Sequence, residues 1–293
     1  MFWRPRLMLR LYRFIGSWLN EYMAGDISFP TKTENVVCVG PLRALRWKAI
    51  GNEEPHKLLL VHGVFVGAHV WRKLGPYLAG HGYTTYAVWL RHHHPEADRR
   101  PLRNLCLQDY AEDIAAAARA IGGVVLVGHS MGGLLAQMAA AVCDASGLAL
   151  LCSAPPRGIP AIPRASFVVP AARKFMGRPF ARQMMTAFGG EVFHERLNAD
   201  QREQLRTSAV PEPRRVARQL AFWPPHVSRG RIRCPVYVGG GDDDPVITPW
   251  VTRKIARRYH VVPSIYQQRG HMPNLEVGWE GVGDDLLRWM HRF

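Results

Sequence analysis

The sequence predicts an α/β protein in which a mostly parallel sheet is flanked by helices and interrupted by one helical insertion. Three observations carry this. After the first few dozen residues, short apolar runs alternate with helical stretches, the rhythm of strand–helix units. Two of those runs, Lys57 to Val61 and Val124 to Val127, are apolar or nearly so throughout, as strands covered on both faces must be. Between Pro155 and Ser228 the rhythm stops, and proline-broken, arginine-rich helical pieces replace it.

Taken in order, residues 1–25 stand apart. In a helix, Leu7, Leu11, Phe14, Ile15, Trp18 and Tyr22 share one side, and Arg6, Arg10, Arg13 and Asn20 the other. That is a basic amphipathic helix with aromatic anchors, suited to an anionic membrane surface or to packing on the body of the protein. Val36 to Val39 and Ala44 to Ala49 predict an opening hairpin, and Lys57 to Val61 a buried strand. A helix from Trp71 to Gly80 and a strand from Tyr83 to Leu90 follow. The alanine-rich stretch Asp109 to Ile121 predicts a helix, Val124 to Val127 the central strand, Leu134 to Cys143 the helix behind it, and Leu148 to Cys152 the next strand. Within the insertion, Asn198 to Asp200 reads as a helix cap. Strands resume at Pro235 to Val238 and Ser264 to Gln267, and a helix from Gly283 to His291 closes the chain. The expected division is a segment 1–25, a core of 26–155 and 229–293, and a helical lid of 156–228.

With 293 residues, 47% hydrophobic and 21% charged, the chain can bury one substantial core. Five scattered cysteines without CxxC spacing argue against a disulfide scaffold or structural zinc site and fit a reducing compartment. No apolar run reaches the roughly 18 residues of a spanning helix, and no signal peptide is recognisable. The expected location is cytoplasmic, peripheral at the inner membrane face if residues 1–25 bind there. The formal charge is +15, and residues 157–233 alone hold 15 Arg/Lys against 5 Asp/Glu. Such a patch suits anionic substrates, acidic proteins or lipid headgroups, but no nucleic-acid-binding motif accompanies it.

The chemistry lies in VVLVGHSMGG, residues 124–133, which sets Gly128-His129-Ser130-Met131-Gly132 between a buried strand and an apolar helix. This is the context a G-x-S-x-G nucleophile elbow requires. The turn is sharp, so the positions two before and two after the serine must be tiny. The helix start then turns free N–H groups and its positive dipole end toward the serine. A serine hydroxyl needs a base to take its proton and an acid to orient the base. GGGDDDPVITP supplies three candidate acids, Asp242, Asp243 and Asp244, at the end of a strand. QQRGHMPNLE supplies His271 after the last one. Of thirteen histidines, the run His92 to His94 reads as a solvated loop, His129 as a packed neighbour of the elbow, and His62 as loop scaffold.

LLLVHGVFVG, GHSMGG, GGGDDDPVITP and GHMPNLE, in this order, resemble the oxyanion loop, elbow, acid turn and histidine loop of the α/β-hydrolase fold. The resemblance covers nearly the whole chain after residue 35. LRHHHPE and LCSAPPRGIP are similar to segments of bacterial lipase- or esterase-like hydrolases. The resemblance implies an eight-stranded, mostly parallel sheet with a lid inserted after strand 6. It also implies Ser130 as nucleophile, His271 as general base and Asp244 as orienting acid, with Asp242 and Asp243 as turn residues bonding their own backbone. The backbone N–H groups of Met131 and Val64 become the oxyanion donors. Val64-Phe65-Val66 stands where the family often carries smaller residues, which implies an apolar wall at the entrance.

Together these readings predict a serine hydrolase that cleaves a carboxylic ester, lipid-like or acyl, through an acyl-enzyme, using neither metal nor cofactor. Phe167, Phe175, Met176, Phe180, Met184 and Met185 in the lid suit a flexible acyl chain, and its arginines suit an anionic group. The alternatives are a thioesterase for acyl-CoA or acyl-carrier thioesters, a carbon–carbon hydrolase or perhydrolase with the same triad, and a non-catalytic binding protein. The expected partner is a small acyl substrate. The sequence leaves the oligomeric state open.

Overall fold

In a computed structural model of the protein, residues 35–161 and 196–293 are described. The expectations for residues 1–25, and for residues 162–195 of the insertion with their phenylalanines and methionines, lie outside them. Eight strands form one sheet: β1 (Asn35–Val39), β2 (Leu42–Trp47), β3 (Lys57–Val61), β4 (Thr85–Val88), β5 (Val124–His129), β6 (Gly147–Leu151), β7 (Val236–Gly241) and β8 (Ser264–Tyr266). Their spatial order is β1-β2-β4-β3-β5-β6-β7-β8. The β1–β2 hairpin and the β2–β4 pair are antiparallel. From β4 through β8 every pairing is parallel.

The unbroken apolar runs divide by side-chain parity, as the two-residue period of a strand dictates. Leu59, Val61, Leu126, Leu148 and Leu150 enter one core layer, and Leu58, Leu60, Val125, Val127 and Leu151 the other. The first layer is closed by α2 (Leu107–Ile121), α3 (Met131–Ala140) and α6 (Pro249–Tyr259), the second by α1 (Leu74–Gly80) and α7 (Glu280–Met290). Truncating a fully buried leucine such as Leu60 to alanine in such a sheet costs about 2–5 kcal/mol.

The predicted strand boundaries hold within two or three residues. The helices shift more. α3 starts at Met131 rather than Leu134, because Gly132 and Gly133 are the close-packed first turn of the helix and do not break it. The stretch read as a helix from Trp71 begins with a 3₁₀ turn, Ala68–Trp71, and becomes α-helical at Leu74. α6 was not anticipated, although Thr248 at the N-cap, Pro249 in the first turn, and buried Val251, Ile255 and Tyr259 at helical spacing announce it. Between β6 and β7 the described residues form α4 (Ala199–Thr207) and α5 (Arg214–Phe222). Asn198 caps α4 as expected, accepting from Gln201 N–H at 2.8 Å. All five cysteines are free. No helix among the described residues is long and apolar enough to cross a membrane.

Candidate active site

The carboxyl ends of five parallel strands meet at one place, where open α/β sheets hold their ligands. β5 delivers Ser130, the N-cap of α3, with φ 54° and ψ −121°. Only crowding this severe calls for glycine on both sides. A Cβ on Gly128 would come 2.3 Å from the carbonyl oxygen of Gly132, and one on Gly132 would come 2.3 Å from that of Val61. The bend is pinned by Ser130 N–H donating to Leu151 O at 3.1 Å and by Ala154 N–H donating to Ser130 O at 2.9 Å.

β7 ends one residue before the three aspartates, and the structure separates their tasks. Asp244 is fully buried. Its Oδ1 accepts from the N–H groups of Val246 and Ile247 at 2.8 and 2.9 Å, while Oδ2 lies 2.8 Å from His271 Nδ1. Asp244 thus makes turn bonds of its own, with the oxygen that His271 does not use. Asp242 accepts from backbone N–H groups, that of Asp243 in its own turn and that of Arg269, and Asp243 pairs with Arg196. His271 Nε2 stands 3.0 Å from Ser130 Oγ. A carboxylate only accepts, so Nδ1 carries the ring proton and Nε2 is left to accept from the serine hydroxyl. All three side chains are buried, where such hydrogen bonds strengthen.

The two expected oxyanion donors flank this chain of bonds. Met131 supplies the first N–H of α3, which has no acceptor within the helix. Val64 follows Gly63, whose added Cβ would stand 3.0 Å from Ser130 Cβ. The loop therefore passes directly beside Ser130.

Other residues hold these groups in place, and sequence reasoning missed most of them. Glu276 is buried and straddles His271. Its two oxygens accept from Gly270 N–H at 2.7 Å and Met272 N–H at 2.9 Å. Burial pushes its carboxyl above the usual range despite both bonds. His129 Nε2 donates to the carbonyl oxygen of His271 at 2.7 Å, so this packed neighbour also steadies His271. Asn274 Nδ2 donates to Val70 O, tying the histidine loop to the segment after β3. The one signal available was Glu276 inside GHMPNLE, a lone acid within a turn of the histidine.

The histidine run departs from its reading as a solvated loop. His93 is 1% exposed and faces Glu212. Apolar cover from Tyr110 and from the loop itself outweighs the polarity of the tripeptide. His62 is scaffold, as expected: Nδ1–H donates to Gly63 O at 2.8 Å and Nε2 accepts from Leu90 N–H at 3.1 Å. Among the described residues, Cys152, Asp244 and His271 bring potential metal-ligand atoms within 4.8 Å of one another. Two of them are already bonded to each other, and burial with the nearby Asp244 charge keeps the Cys152 thiol protonated. The site's own geometry thus favours proton transfer over ligation.

The family model of the α/β hydrolase family matches residues 58–283. The chain belongs to that family, and the hydrolase class follows from it. No curated protein matches the sequence. Among solved structures, a bacterial membrane phospholipase A is similar at 20% identity with a TM-score of 0.68, covering 97% of each chain. The esterase RhEst1 from Rhodococcus sp. ECU1013 is similar at 21% identity and TM-score 0.65, covering 88% of this chain and 98% of its own. A meta-cleavage product hydrolase from Pseudomonas fluorescens IP01 stands at 14% and 0.66, covering 89% and 98%. At these identities the likeness is one of fold.

Proposed function

We propose that the protein is a serine hydrolase that cleaves a carboxylic ester of an acyl or lipid-like substrate through an acyl-enzyme on Ser130. The observation that supports it is the unbroken chain Asp244 Oδ2, His271 Nδ1–Nε2, Ser130 Oγ at 2.8 and 3.0 Å. His271 takes the hydroxyl proton as Oγ attacks the carbonyl carbon. The oxyanion settles between the N–H groups of Met131 and Val64, each such donor contributing about 3–4 kcal/mol in the transition state. His271 then gives its proton to the departing alkoxide, and the acyl group remains on Ser130. A water, activated by the same imidazole, releases the acid and restores the serine. Asp244 holds the imidazole in the required tautomer throughout.

A lipid ester at an anionic surface is the version of this reading we favour. The basic amphipathic sequence of residues 1–25 supports it, as does the membrane phospholipase among the similar folds. The test has two arms. A fluorophosphonate should label Ser130, and p-nitrophenyl esters should turn over faster than acyl-CoA thioesters of equal chain length. Absence of labelling would leave a binding protein on a hydrolase scaffold, and preference for the thioesters would move the substrate class. Deleting residues 1–25 should weaken binding to anionic vesicles; unchanged binding removes the surface from the proposal.

A further inference from the structure

Glu212 lies in the second half of the inserted segment, between Pro211 and Pro213, yet its side chain is only 1% exposed. Flanking prolines restrict the backbone on both sides of it, which presents the carboxylate in a fixed direction. Its Oε1 lies 3.0 Å from His93 Nε2 and accepts from Phe65 N–H at 3.3 Å, while Oε2 accepts from Tyr110 OH at 3.3 Å. His93 Nδ1 lies 3.0 Å from Arg91 O. A carbonyl only accepts, so Nδ1 carries a proton, and the carboxylate accepts at the other ring nitrogen. The two side chains form a buried, hydrogen-bonded His–Glu pair. Removing a partner costs more than the bond itself contributes, because it leaves a polar group buried without its hydrogen bond.

What the pair holds is the loop beside Ser130. Phe65 has φ 64°, a left-handed conformation that a bulky residue keeps only when its surroundings fix it. Both its backbone groups are engaged by the same stretch: Glu212 takes the N–H, and Val210 N–H donates to the carbonyl at 3.0 Å. Two residues earlier, His62 holds Gly63 O. Val64 sits between these two anchors, so the direction of its N–H is set from both sides.

We propose that Glu212, paired with His93, is a positioning residue that aims the Val64 N–H at the oxyanion of the reaction. The proposal rests on the serine-hydrolase reading of Ser130. It gives the histidine run and the second half of the insertion a task in the chemistry.

The experiment uses the full chain, p-nitrophenyl butyrate turnover, and the rate of Ser130 phosphonylation by a fluorophosphonate. In Glu212→Ala, kcat and the phosphonylation rate should both fall about 10- to 100-fold, with KM within about threefold, since the loss falls on the transition state. Glu212→Gln keeps an oxygen acceptor for Phe65 N–H and should recover to within about fivefold of wild type. Val216→Ala, a core truncation in α5 chosen for a comparable loss of melting temperature, should leave kcat within about twofold. Wild-type rates in Glu212→Ala overturn the proposal. So does a glutamine variant as slow as the alanine one, or a Val216→Ala variant equally impaired. If Glu212→Ala does not fold, His93→Gln is read by the same criteria, with a fall of about tenfold expected and unchanged rates overturning the idea. A wild-type protein that neither labels at Ser130 nor turns over the ester instead sinks the serine-hydrolase reading itself.

Discussion

The histidine loop, residues 270–276, is held by a carboxylate of its own: Glu276 bonds the N–H groups on either side of His271, six and four residues back along the chain. The loop of residues 63–67, which the proposed function makes an oxyanion loop, is held by Glu212, a carboxylate 147 positions from Phe65. Both clamps are buried glutamates accepting backbone N–H groups, but the first closes within one short loop and the second joins the insertion to the core. Loops held locally depend on their own sequence, whereas a loop held from afar inherits the state of whatever holds it.

The most severe break falls on Asp244, which serves the histidine loop and the turn after β7 together. Asp244→Asn keeps the shape but offers His271 Nδ1 a donor in place of an acceptor. It should lower kcat by about 10⁴-fold, the scale seen when the wrong tautomer is imposed. A variant within tenfold of wild type in steady-state ester hydrolysis would show that another group orients the base. Next in size is Glu276→Ala, which frees both N–H groups around His271. We expect kcat to fall about 10- to 100-fold. If the two clamps are independent, combining it with Glu212→Ala should multiply the single effects to within about twofold. A double variant no worse than the poorer single would show the loops to be one unit.

The smallest effect separates the loops by pH. Burial pushes the His62 imidazole down, with the nearby His93 charge adding to it, and burial holds His69, just past the oxyanion loop, at about 4. Both bind a proton less readily folded than unfolded, so the stability they contribute is full above about pH 6.5 and is lost as pH falls toward 4. Glu276, pushed up by burial, runs the other way: its contribution is full below the unfolded carboxylate value and is lost as pH rises through the folded one. Urea unfolding at pH 7.5 and pH 5 should show a loss of about 2 kcal/mol from His69 alone. His69→Gln should remove that share, and an unchanged pH dependence would disprove it.

The same division governs what the sequence reveals. The elbow, the acid turn and the histidine loop were legible because each packs its requirements into a few consecutive residues: glycines around Ser130, an Asp-Pro turn at Asp244, Gly-His at 270–271. The sheet was legible because runs such as KLLLV have no other comfortable place. Glu212 and His93 were not, since a glutamate between prolines and the middle of three histidines look like solvent-facing polar residues until folding joins them. The task of Glu276 stayed hidden inside a legible motif, because backbone acceptance leaves no signature in residue type. The start of α3 was misplaced because paired glycines normally argue against a helix, and here close approach to Val61 outranks propensity.

The backbone of Ser130 has a consequence beyond the reaction. At φ 54° a residue with a Cβ sits in conflict with its own conformational preference, a point of local frustration of roughly 1–3 kcal/mol that the rest of the sheet must overrule. Glycine at that position would relieve the conflict, offset in part by a looser unfolded chain. The fold would therefore be at its most comfortable without a serine there, and under the proposed function the chemistry is what keeps the chain short of that optimum.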